Sequence, residues 1–414
     1  MKSKSLRILY AVGPEDVIQS YKYWSQGEQS PAQVSVTYSS QFYDVCQEFD
    51  AQAYVIAQAK THDLIQGEQF MIEKLPVPLP NAGGIVYHLR QIFYGIKLLI
   101  SALRFRANVL IASSGTTHWF VLYLFSWLGI RVIPSVHCVL WREYGGQSWG
   151  EKIALYLSRH LFANKCAGIL AVSNEIARQI QQLTVKQNSP VFEFLPSYRP
   201  KDFADIPPPS PVRSPFHVLF AGRVEYDKGV FDLLEIARSI TAVGISDIHF
   251  HICGGGSQLE TLRHAVRESG LTDNFFCHGY LLKPQMREMF ARSHIVVVPT
   301  RTEFVEGFNR VVAESILCGR PVVTSPVCPA LSYVDEAVIS VPPEDISAYR
   351  EAILLLYRDL EIYNRKRLAC QRLQSQFYDR DRSWGNRLRT ILHQIIETEA
   401  NQNHNQNNIV SPVL

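Results

Sequence analysis

The sequence lacks the features that are typical of a secreted protein, a zinc-binding protein or a nucleic-acid-binding protein. Its eight cysteines are scattered, with no Cys-x-x-Cys pair, so neither a zinc site nor a disulfide framework is indicated and a reducing compartment is expected. Charged residues make up only 19% of the chain and the net charge is +3. Because this net charge is small and the sequence has no lysine-rich arm, we do not expect a nucleic-acid partner.

No apolar run is long and continuous enough for a membrane span. The longest, WFVLYLFSWLGIRVIPSVHCVLW, is interrupted by Gly129, Arg131 and Pro134, and predicts a buried helix, a turn and a strand. The opening MKSKSLRILYAVG leads directly into a strand pattern without the apolar core of a signal peptide. We expect a cytoplasmic protein, or one held peripherally on the inner face of a membrane.

What the chain does contain is hydrophobic residues, at 47%, over 414 positions. This length favours two domains. In the first half, short apolar strands alternate with helical stretches, and this order predicts a parallel, doubly wound sheet. The predicted strands are residues 6–13, 53–58, 109–114, 131–137 and 168–173.

A proline-dense stretch, YRPKDFADIPPPSPVRSP, divides the chain. After it the alternation restarts, with strands predicted at 216–223, 248–256, 275–280, 294–300, 321–326 and 337–342. We predict two Rossmann-like α/β domains that face a central cleft, where ligands of such sheets bind. The expected boundaries are a first domain 1–200, a linker 201–215, a second domain 216–375, a helical segment 376–400 and a disordered tail 401–414.

Two stretches after strands of the second half have phosphate-binding chemistry. AGRVEYDKG places Arg223 and Lys228 at the carboxyl edge of the sheet, where a guanidinium and an ammonium suit a diphosphate. The alternative is a turn with two solvated cations. CGGGSQLETL places three glycines before a helix expected near Ser257, so that the backbone can approach a ligand. The alternative is an ordinary strand-to-helix turn capped by Ser257.

The stretch EFVEGFNRVVAES carries two carboxylates, Glu306 and Glu314, about 12 Å apart along a helix expected to begin at Gly307. They are suited to two separate sets of hydroxyls, one on a sugar and one on a ribose beyond a diphosphate. The amides of Gly307–Asn309 would favour negative charge. The alternative is a surface salt-bridge ladder of Glu306, Arg310 and Glu314.

Together these motifs resemble the glycosyltransferase family 4 ("group 1") enzymes of GT-B fold. The resemblance rests on AGRVEYDKG, CGGGSQLETL, HGYL, VVPTRTEFVEGFNRVVAES and GRPVVTS, which span most of 216–330. The first half is similar more loosely, through SVHCVLW and AVSNEIARQI. FYDRDRSWGNRL resembles the family's terminal segment, whose last helix crosses back onto the first domain.

The resemblance implies roles for individual residues. Arg223 and Lys228 would hold the donor diphosphate and stabilise it as leaving group, Glu306 would face the donor sugar, and Glu314 would bind the ribose. His137 matches a family histidine that reaches into the cleft. The implied catalytic residues are His137, Glu306, Arg223 and Lys228. The implied donor-binding residues are Gly222, Arg223, Lys228, Gly254, Gly255, Glu306, Gly307, Phe308, Asn309 and Glu314.

The implied reaction is retaining transfer of a hexose from a nucleotide diphosphate sugar to a saccharide or lipid-linked acceptor, in polysaccharide or glycolipid biosynthesis. No cofactor and no metal ion is expected, because cations and helix N-termini stabilise the leaving group. The alternatives are a GT-B nucleotide-sugar epimerase or hydrolase, and a non-catalytic glycan-binding or partner-binding relative. Pro14 and Glu15 replace the flexible pair that often follows Gly13 in the family, and Asn309 stands where glycine is common.

One further stretch bears on location. Within residues 88–106, Arg90, Lys97 and Arg104 recur every seven positions beside apolar residues. Such an amphipathic basic helix is suited to an anionic membrane that holds a lipid-linked acceptor. The alternative is a solvated helix face packed against the sheet.

Overall fold

The computed structural model describes residues 5–77, 83–184, 186 and 188–409, with side chains up to residue 401. It consists of two β-sheets flanked by helices, parallel throughout except for one edge strand of the first sheet, and thus confirms the predicted pair of doubly wound α/β domains. Both sheets have strands buried on their two faces. This explains the near-continuous apolar runs of the sequence, because a strand buried on both faces of a sheet needs apolar residues at successive positions.

The first domain is built on an eight-stranded sheet in the order β3-β4-β2-β1-β5-β6-β7-β8. Its strands are β1 Arg7–Val12, β2 Gln52–Ala59, β3 Asp63–Gln66, β4 Phe70–Pro76, β5 Val109–Ser113, β6 Arg131–Val136, β7 Ile169–Ala171 and β8 Val191–Glu193. Its helices are α1 Val17–Ser25, α2 Tyr38–Glu48, α3 Gly84–Phe105, α4 Tyr123–Trp127, α5 Trp149–Asn164 and α6 Asn174–Leu183, with 3₁₀ turns at Trp119–Leu122 and Pro200–Asp202.

The sequence patterns missed three strands of this sheet. Strands β3 and β4 form an antiparallel hairpin, and β4 continues the parallel sheet beside β2. β8 pairs with β7 at the other edge. β3 is mostly exposed and β8 has only three half-buried residues, so neither carries the apolar run that identified the central strands.

The second domain has six parallel strands in the order β11-β10-β9-β12-β13-β14. The strands are β9 Phe216–Ala221, β10 Ile248–Cys253, β11 Phe275–Gly279, β12 Ile295–Val298, β13 Val322–Thr324 and β14 Val338–Ser340. The chain runs outwards to one side from β9 and then returns to its other side at β12. The loops after β9 and β12 thus diverge and open the crevice in which open α/β sheets bind ligands.

The helices of the second half cover both faces of this sheet and then leave it. They are α7 Val230–Ala242, α8 Leu259–Glu268, α9 Lys283–Arg292, α10 Arg310–Leu317, α11 Leu331–Val334, α12 Ile346–Arg358, α13 Leu360–Leu373, α14 Ser375–Tyr378 and α15 Trp384–Ile409. The 3₁₀ turns are Tyr226–Lys228, Asp335–Ala337 and Arg380–Arg382.

Helix α15 packs on the first domain, far from the strands that precede it in sequence. Trp384 has no exposed surface, its ring lies 5.6 Å from that of Tyr10, and its Nε1–H donates to Ser135 Oγ at 2.8 Å. Gly385 N–H donates to the side chain of Gln41. The start of α15 is therefore anchored to the first domain.

The expectation of disorder from residue 401 is wrong up to Ile409, because α15 continues to that residue. Each further helical residue adds one backbone hydrogen bond to an already nucleated helix, and the packed segment from Trp384 to Ile395 supplies the nucleus. Residues 410–414, the remainder of the predicted tail, lie outside the described residues.

The linker forms neither a strand nor an α-helix between Asp202 and Phe216, but side chains hold it in place. Lys283 Nζ lies 2.8 Å from an Asp202 carboxylate oxygen. The fully buried Arg320 donates to the carbonyl of Pro207 at 2.9 Å. In the ranges that the structure describes, no helix combines the length and hydropathy that a membrane crossing requires.

We predict that Trp384→Ala lowers the free energy of unfolding by about 3–5 kcal/mol, because it removes a fully buried ring and leaves a cavity. Urea denaturation measures the change. Trp127→Ala is the matched control: that side chain is 83% exposed, so its loss is expected to cost less than about 0.5 kcal/mol. Equal effects of the two substitutions would contradict the docking of α15.

Candidate active site

A cavity of about 610 Å³ opens at the carboxyl ends of β9, β10 and β12. It lies at the point where the strand order of the second sheet reverses, and residues 32–34 of the first domain close its other side. Nine of the predicted donor-binding residues line it together: Gly222, Arg223, Lys228, Gly254, Gly255, Glu306, Phe308, Asn309 and Glu314.

The two predicted phosphate-binding cations differ in their surroundings. Lys228 Nζ lies 2.7 Å from a Glu306 carboxylate oxygen, and the two side chains are only 15% and 13% exposed. Arg223 is exposed, and among the described residues no carboxylate lies within ion-pair distance of it. Lys228 is thus neutralised by the residue expected to face the sugar, whereas Arg223 is available to an anion.

An aromatic ring that the sequence analysis missed connects these cations. The ring centroid of Phe304 lies 3.4 Å from Lys228 Nζ and 5.5 Å from the guanidinium carbon of Arg223. A ring face attracts cations and limits their freedom. Its only signal in the sequence is its place in the loop before Glu306, within EFVEGF.

The glycine-rich turn after β10 is explained in part by packing between backbones. A Cβ atom at Gly254 would lie 1.7 Å from the carbonyl oxygen of Gly222, and only glycine fits so close an approach. The alternative in which Ser257 caps the helix is wrong: α8 begins at Leu259, with Gln258 at the N-cap. Ser257 instead donates its N–H and its hydroxyl to the Glu225 carboxylate, at 2.8 and 2.6 Å.

Helix α10 begins at Arg310, three residues later than predicted. Tertiary contacts hold the preceding residues away from helical geometry: a Cβ at Gly307 would lie 1.8 Å from the carbonyl oxygen of His137, and Phe308 is buried against the rings of Tyr333 and Phe377. Gly307 therefore belongs to the contact between the two domains and does not line the cavity.

Asn309 lines the cavity and carries a buried polar atom without a partner. Its side chain is buried, with 6% exposed surface, and its Nδ2–H donates to Thr300 Oγ1 at 3.3 Å. Its Oδ1 has no hydrogen-bond partner. A buried carbonyl oxygen left unpaired costs about 1–3 kcal/mol, so this atom is suited to a hydrogen-bond donor on a ligand.

The salt-bridge ladder of Glu306, Arg310 and Glu314 is not formed. Glu306 pairs with Lys228, and Arg310 reaches across to Ser35 Oγ of the first domain at 3.2 Å. Glu314 is partly buried and receives the hydroxyl of Tyr198 at 3.5 Å. Burial raises the pKa of Glu314, against the opposing effects of the Arg310 cation and the Tyr198 hydroxyl.

His137 lies behind the cavity rather than on its wall. Its Nε2 is 2.8 Å from Ser135 Oγ, the hydroxyl that also accepts from Trp384, and its ring lies 4.6 Å from that of Tyr38. Burial, together with the nearby Arg310 cation, lowers the pKa of His137 to about 4. The histidine is neutral near pH 7, and its catalytic role stays a prediction.

The first domain contributes residues that sequence reasoning did not single out. Tyr198 contacts Glu314, and Ser35 contacts Arg310. Neither belongs to a recognisable motif, because each reaches the cleft only through folding. Glu15, noted above as a departure from the family pattern, is held by the hydroxyls of Ser20 and Ser39, and burial raises its pKa. The described residues contain no group of three or more His, Cys, Asp or Glu side chains placed to hold a metal ion.

Comparison with known families assigns both halves of the chain. Residues 41–191 match the model for Glycosyltransferase Family 4, and residues 203–369 match the model for Glycosyl transferases group 1. Together the two models cover most of the described chain. The protein belongs to the group 1 glycosyltransferases of family 4 type.

Individual relatives are distant. A D-inositol 3-phosphate glycosyltransferase of Paenarthrobacter aurescens (strain TC1) is 31% identical over 139 residues, which is 32% of each chain. The match therefore spans about a third of the length of such curated relatives.

Solved structures match over nearly the whole fold. Sucrose-phosphate synthase from Thermosynechococcus elongatus has a TM-score of 0.65 at 15% identity, covering 98% of this chain and 100% of that one. Anabaena HepE in complex with UDP and glucose has a TM-score of 0.62 at 15% identity, covering 95% and 99%. These likenesses confirm the GT-B fold.

We predict that Glu314→Gln changes the pH dependence of stability. Because the pKa of Glu314 is raised in the folded protein, its contribution is fully present below the ordinary value of 4.5 and is lost as the pH rises through the folded pKa. Glutamine cannot ionise, so the melting temperature of the variant relative to wild type should rise from acid to neutral pH. Thermal scans across that range measure it.

The exposed Glu397 supplies the matched control for this substitution. A Glu397→Gln variant removes a carboxylate of the same length from the surface, and thermal scans of this variant over the same pH range measure the effect of losing a carboxylate that is not buried. A constant or falling difference for Glu314→Gln would contradict the assigned burial of that carboxyl group.

Proposed function

We propose that the protein is a retaining glycosyltransferase that moves a hexose from a nucleotide diphosphate sugar to a saccharide or lipid-linked acceptor, in polysaccharide or glycolipid biosynthesis. The observation that carries the proposal is the single cavity in which Arg223 and Lys228 meet Glu306 and Glu314. The two cations suit the diphosphate of a nucleotide sugar, and the two carboxylates suit hydroxyl groups of its sugar and of its ribose.

The exposed Arg223 and the ammonium of Lys228 would bind the diphosphate. Departure of the sugar leaves negative charge on the diphosphate and positive charge on the sugar ring. Fixed cations stabilise the first of these charges at the moment of reaction, without a metal ion. Binding would exchange partners: Lys228 would turn from Glu306 to a phosphate oxygen, and Glu306 would accept a sugar hydroxyl instead.

Two residues of the cavity wall suit the nucleoside. Glu314 has a carboxylate for ribose hydroxyls, and Tyr280, which is 63% exposed at the cavity wall, offers a ring face to a base. Because the structurally similar HepE holds UDP and glucose, UDP-glucose is the first donor to test.

A second cavity, of about 600 Å³, supports a saccharide as acceptor. It lies in the first domain and adjoins the donor cavity through Gln33, which lines both. Its wall combines rings, amides and carboxylates, among them Tyr23, Trp24, Gln47 and Glu68. Apolar faces beside a few polar groups are the usual means of binding and orienting a polyhydroxylated ligand.

The proposed site of action is the cytoplasm, at the inner face of a membrane when the acceptor is lipid-linked, with residues 88–106 as peripheral contact. An epimerase or hydrolase would turn over the same donor without an acceptor. Product analysis separates these activities, and the anomeric configuration of the transferred hexose, read by NMR, tests retention.

We predict that one nucleotide diphosphate among UDP, GDP and ADP raises the melting temperature, and that Arg223→Ala weakens its binding about tenfold to a hundredfold. Loss of a hydrogen bond to a charged group costs about 1.5–3 kcal/mol. Because Arg223 is exposed, its removal should not unfold the chain. The exposed Arg267 on α8 supplies the matched control, Arg267→Ala, and equal weakening by both variants would contradict the site.

We predict further that Asn309→Ala weakens binding of the nucleotide sugar about threefold to tenfold while binding of the nucleotide alone is unchanged. The reason is the unpaired Oδ1, which would accept a hydrogen bond from a sugar hydroxyl. Calorimetric titration with UDP-glucose and with UDP, or with whichever nucleotide gives the thermal shift, measures both. Equal losses for the two ligands would place Asn309 against the nucleotide instead.

A further inference from the structure

The first domain exposes an unusually broad apolar surface. More than half of the large hydrophobic side chains exposed in the described part of the chain lie on or beside α3, α4 and α5. Monomeric soluble proteins rarely leave contiguous apolar patches of such extent uncovered, and a patch of this kind marks an interaction site.

Helix α3 contributes the longest part of this surface. Six apolar side chains recur every three or four positions and are all exposed: Ile85, Leu89, Phe93, Ile96, Ile100 and Leu103. They form one stripe about 27 Å long at 1.5 Å per residue. The opposite face of the helix, with Tyr94, Leu98 and Ala102, is buried in the domain, so the stripe points away from the protein.

Helices α5 and α4 extend the surface sideways. Trp149, Ile153, Tyr156 and Leu157 of α5 are exposed, Trp149 to 82%. Contacts connect the three helices: a Cβ at Gly150 of α5 would lie 3.0 Å from His88 of α3, and the ring of Tyr123 on α4 lies 5.6 Å from that of His160 on α5. Trp127, the last residue of α4, is 83% exposed.

The charges on these helices are almost all positive. Lys97 and Arg104 flank the stripe on α3, and Lys152 and Arg159 stand beside the exposed rings of α5. Neither α3 nor α4 contains an aspartate or glutamate. The acid of α5 is Glu151, whose carboxylate receives the backbone N–H of Ser148 at its own helix start.

We propose that the exposed faces of α3, α4 and α5, hereafter the docking face, bind the surface of an anionic phospholipid bilayer. Exposed tryptophans, an apolar stripe and flanking cations are the combination that holds helices in the plane of a membrane interface. Anionic headgroups complement the cations. A second copy of the chain fits less well, since a two-fold contact would set the same cations against each other.

The docking face begins at the rim of the cleft. The segment 137–148 runs from the cleft to α5, and within it Arg142 approaches the carbonyl of Glu303, at 3.5 Å, in the second domain. A Cβ at Gly145 would lie 3.2 Å from the carbonyl of Thr302. If the protein is the proposed glycosyltransferase, docking would therefore place the cleft beside acceptors whose lipid anchor lies in the same bilayer. This consequence rests on the proposed function.

Flotation of the purified full-length chain tests the proposal. Wild type should float with vesicles of phosphatidylcholine and phosphatidylglycerol, and much less with vesicles of phosphatidylcholine alone. Phe93→Ser combined with Trp149→Ser should weaken partitioning roughly tenfold or more. Lys97→Gln and Arg104→Gln should each weaken it about fivefold. All four side chains are at least partly exposed, so the variants should remain folded, which thermal scans check.

Matched controls lie on the second domain. Leu360→Ser combined with Leu368→Ser, also exposed, and Arg267→Gln should leave flotation unchanged. Absence of wild-type binding to the anionic vesicles, or equal losses in the controls, overturns the proposal. So does a dimer in light scattering that Phe93→Ser converts to a monomer.

The nucleotide thermal shift, measured on the same variants, keeps this proposal separate from the proposed function. Flotation without any nucleotide shift would remove the transferase assignment and leave the docking face. A nucleotide shift without flotation would do the reverse.

Discussion

The ion pair between Lys228 and Glu306 is the interaction around which the cleft is arranged. It joins the loops after β9 and β12, which diverge at the reversal of strand order, and both side chains are largely shielded from solvent. Removing one partner of such a pair leaves the other charge buried and unpaired, which lowers the free energy of unfolding by about 3–5 kcal/mol. A ligand that separates them must therefore offer each a replacement, an anion for Lys228 and hydroxyls for Glu306. A sugar diphosphate has both.

The first domain completes this arrangement through its backbone as much as through its side chains. The carbonyl of His137 leaves no room for a side chain at position 307, and Val139 N–H donates to the carbonyl of Glu306 at 3.4 Å. The position of the Glu306 carboxylate thus depends on contact between the domains. The same segment of the first domain continues into α5, so the chain that shapes the donor cleft also carries part of the docking face.

The sequence was sufficient for the central parallel strands of both sheets, because strands buried on both faces leave apolar runs that turn residues interrupt; it missed β3, β4 and β8 of the first sheet. It also located nine residues of one cavity, eight after three strands and Glu314 on helix α10, since the carboxyl ends of neighbouring parallel strands meet at one edge. The sequence does not predict the ion pair of Lys228 with Glu306. The two residues are 78 positions apart, and the conformation of their loops decides whether they touch. The late start of α10 likewise follows from the tertiary contacts of Gly307 and Phe308, which override local helix preference. The sequence also does not predict that the apolar stripe of α3 is exposed, because this depends on which face of the helix packs against the first domain.

A crystal structure of the protein with the nucleotide diphosphate sugar that stabilises it most would test the proposed donor site directly. We expect phosphate oxygens against Arg223 and Lys228, the sugar against Glu306, and the Lys228–Glu306 contact broken or shared with the ligand. A nucleotide bound elsewhere, or bound in the cleft with that ion pair intact and Arg223 remote from the phosphates, would contradict it.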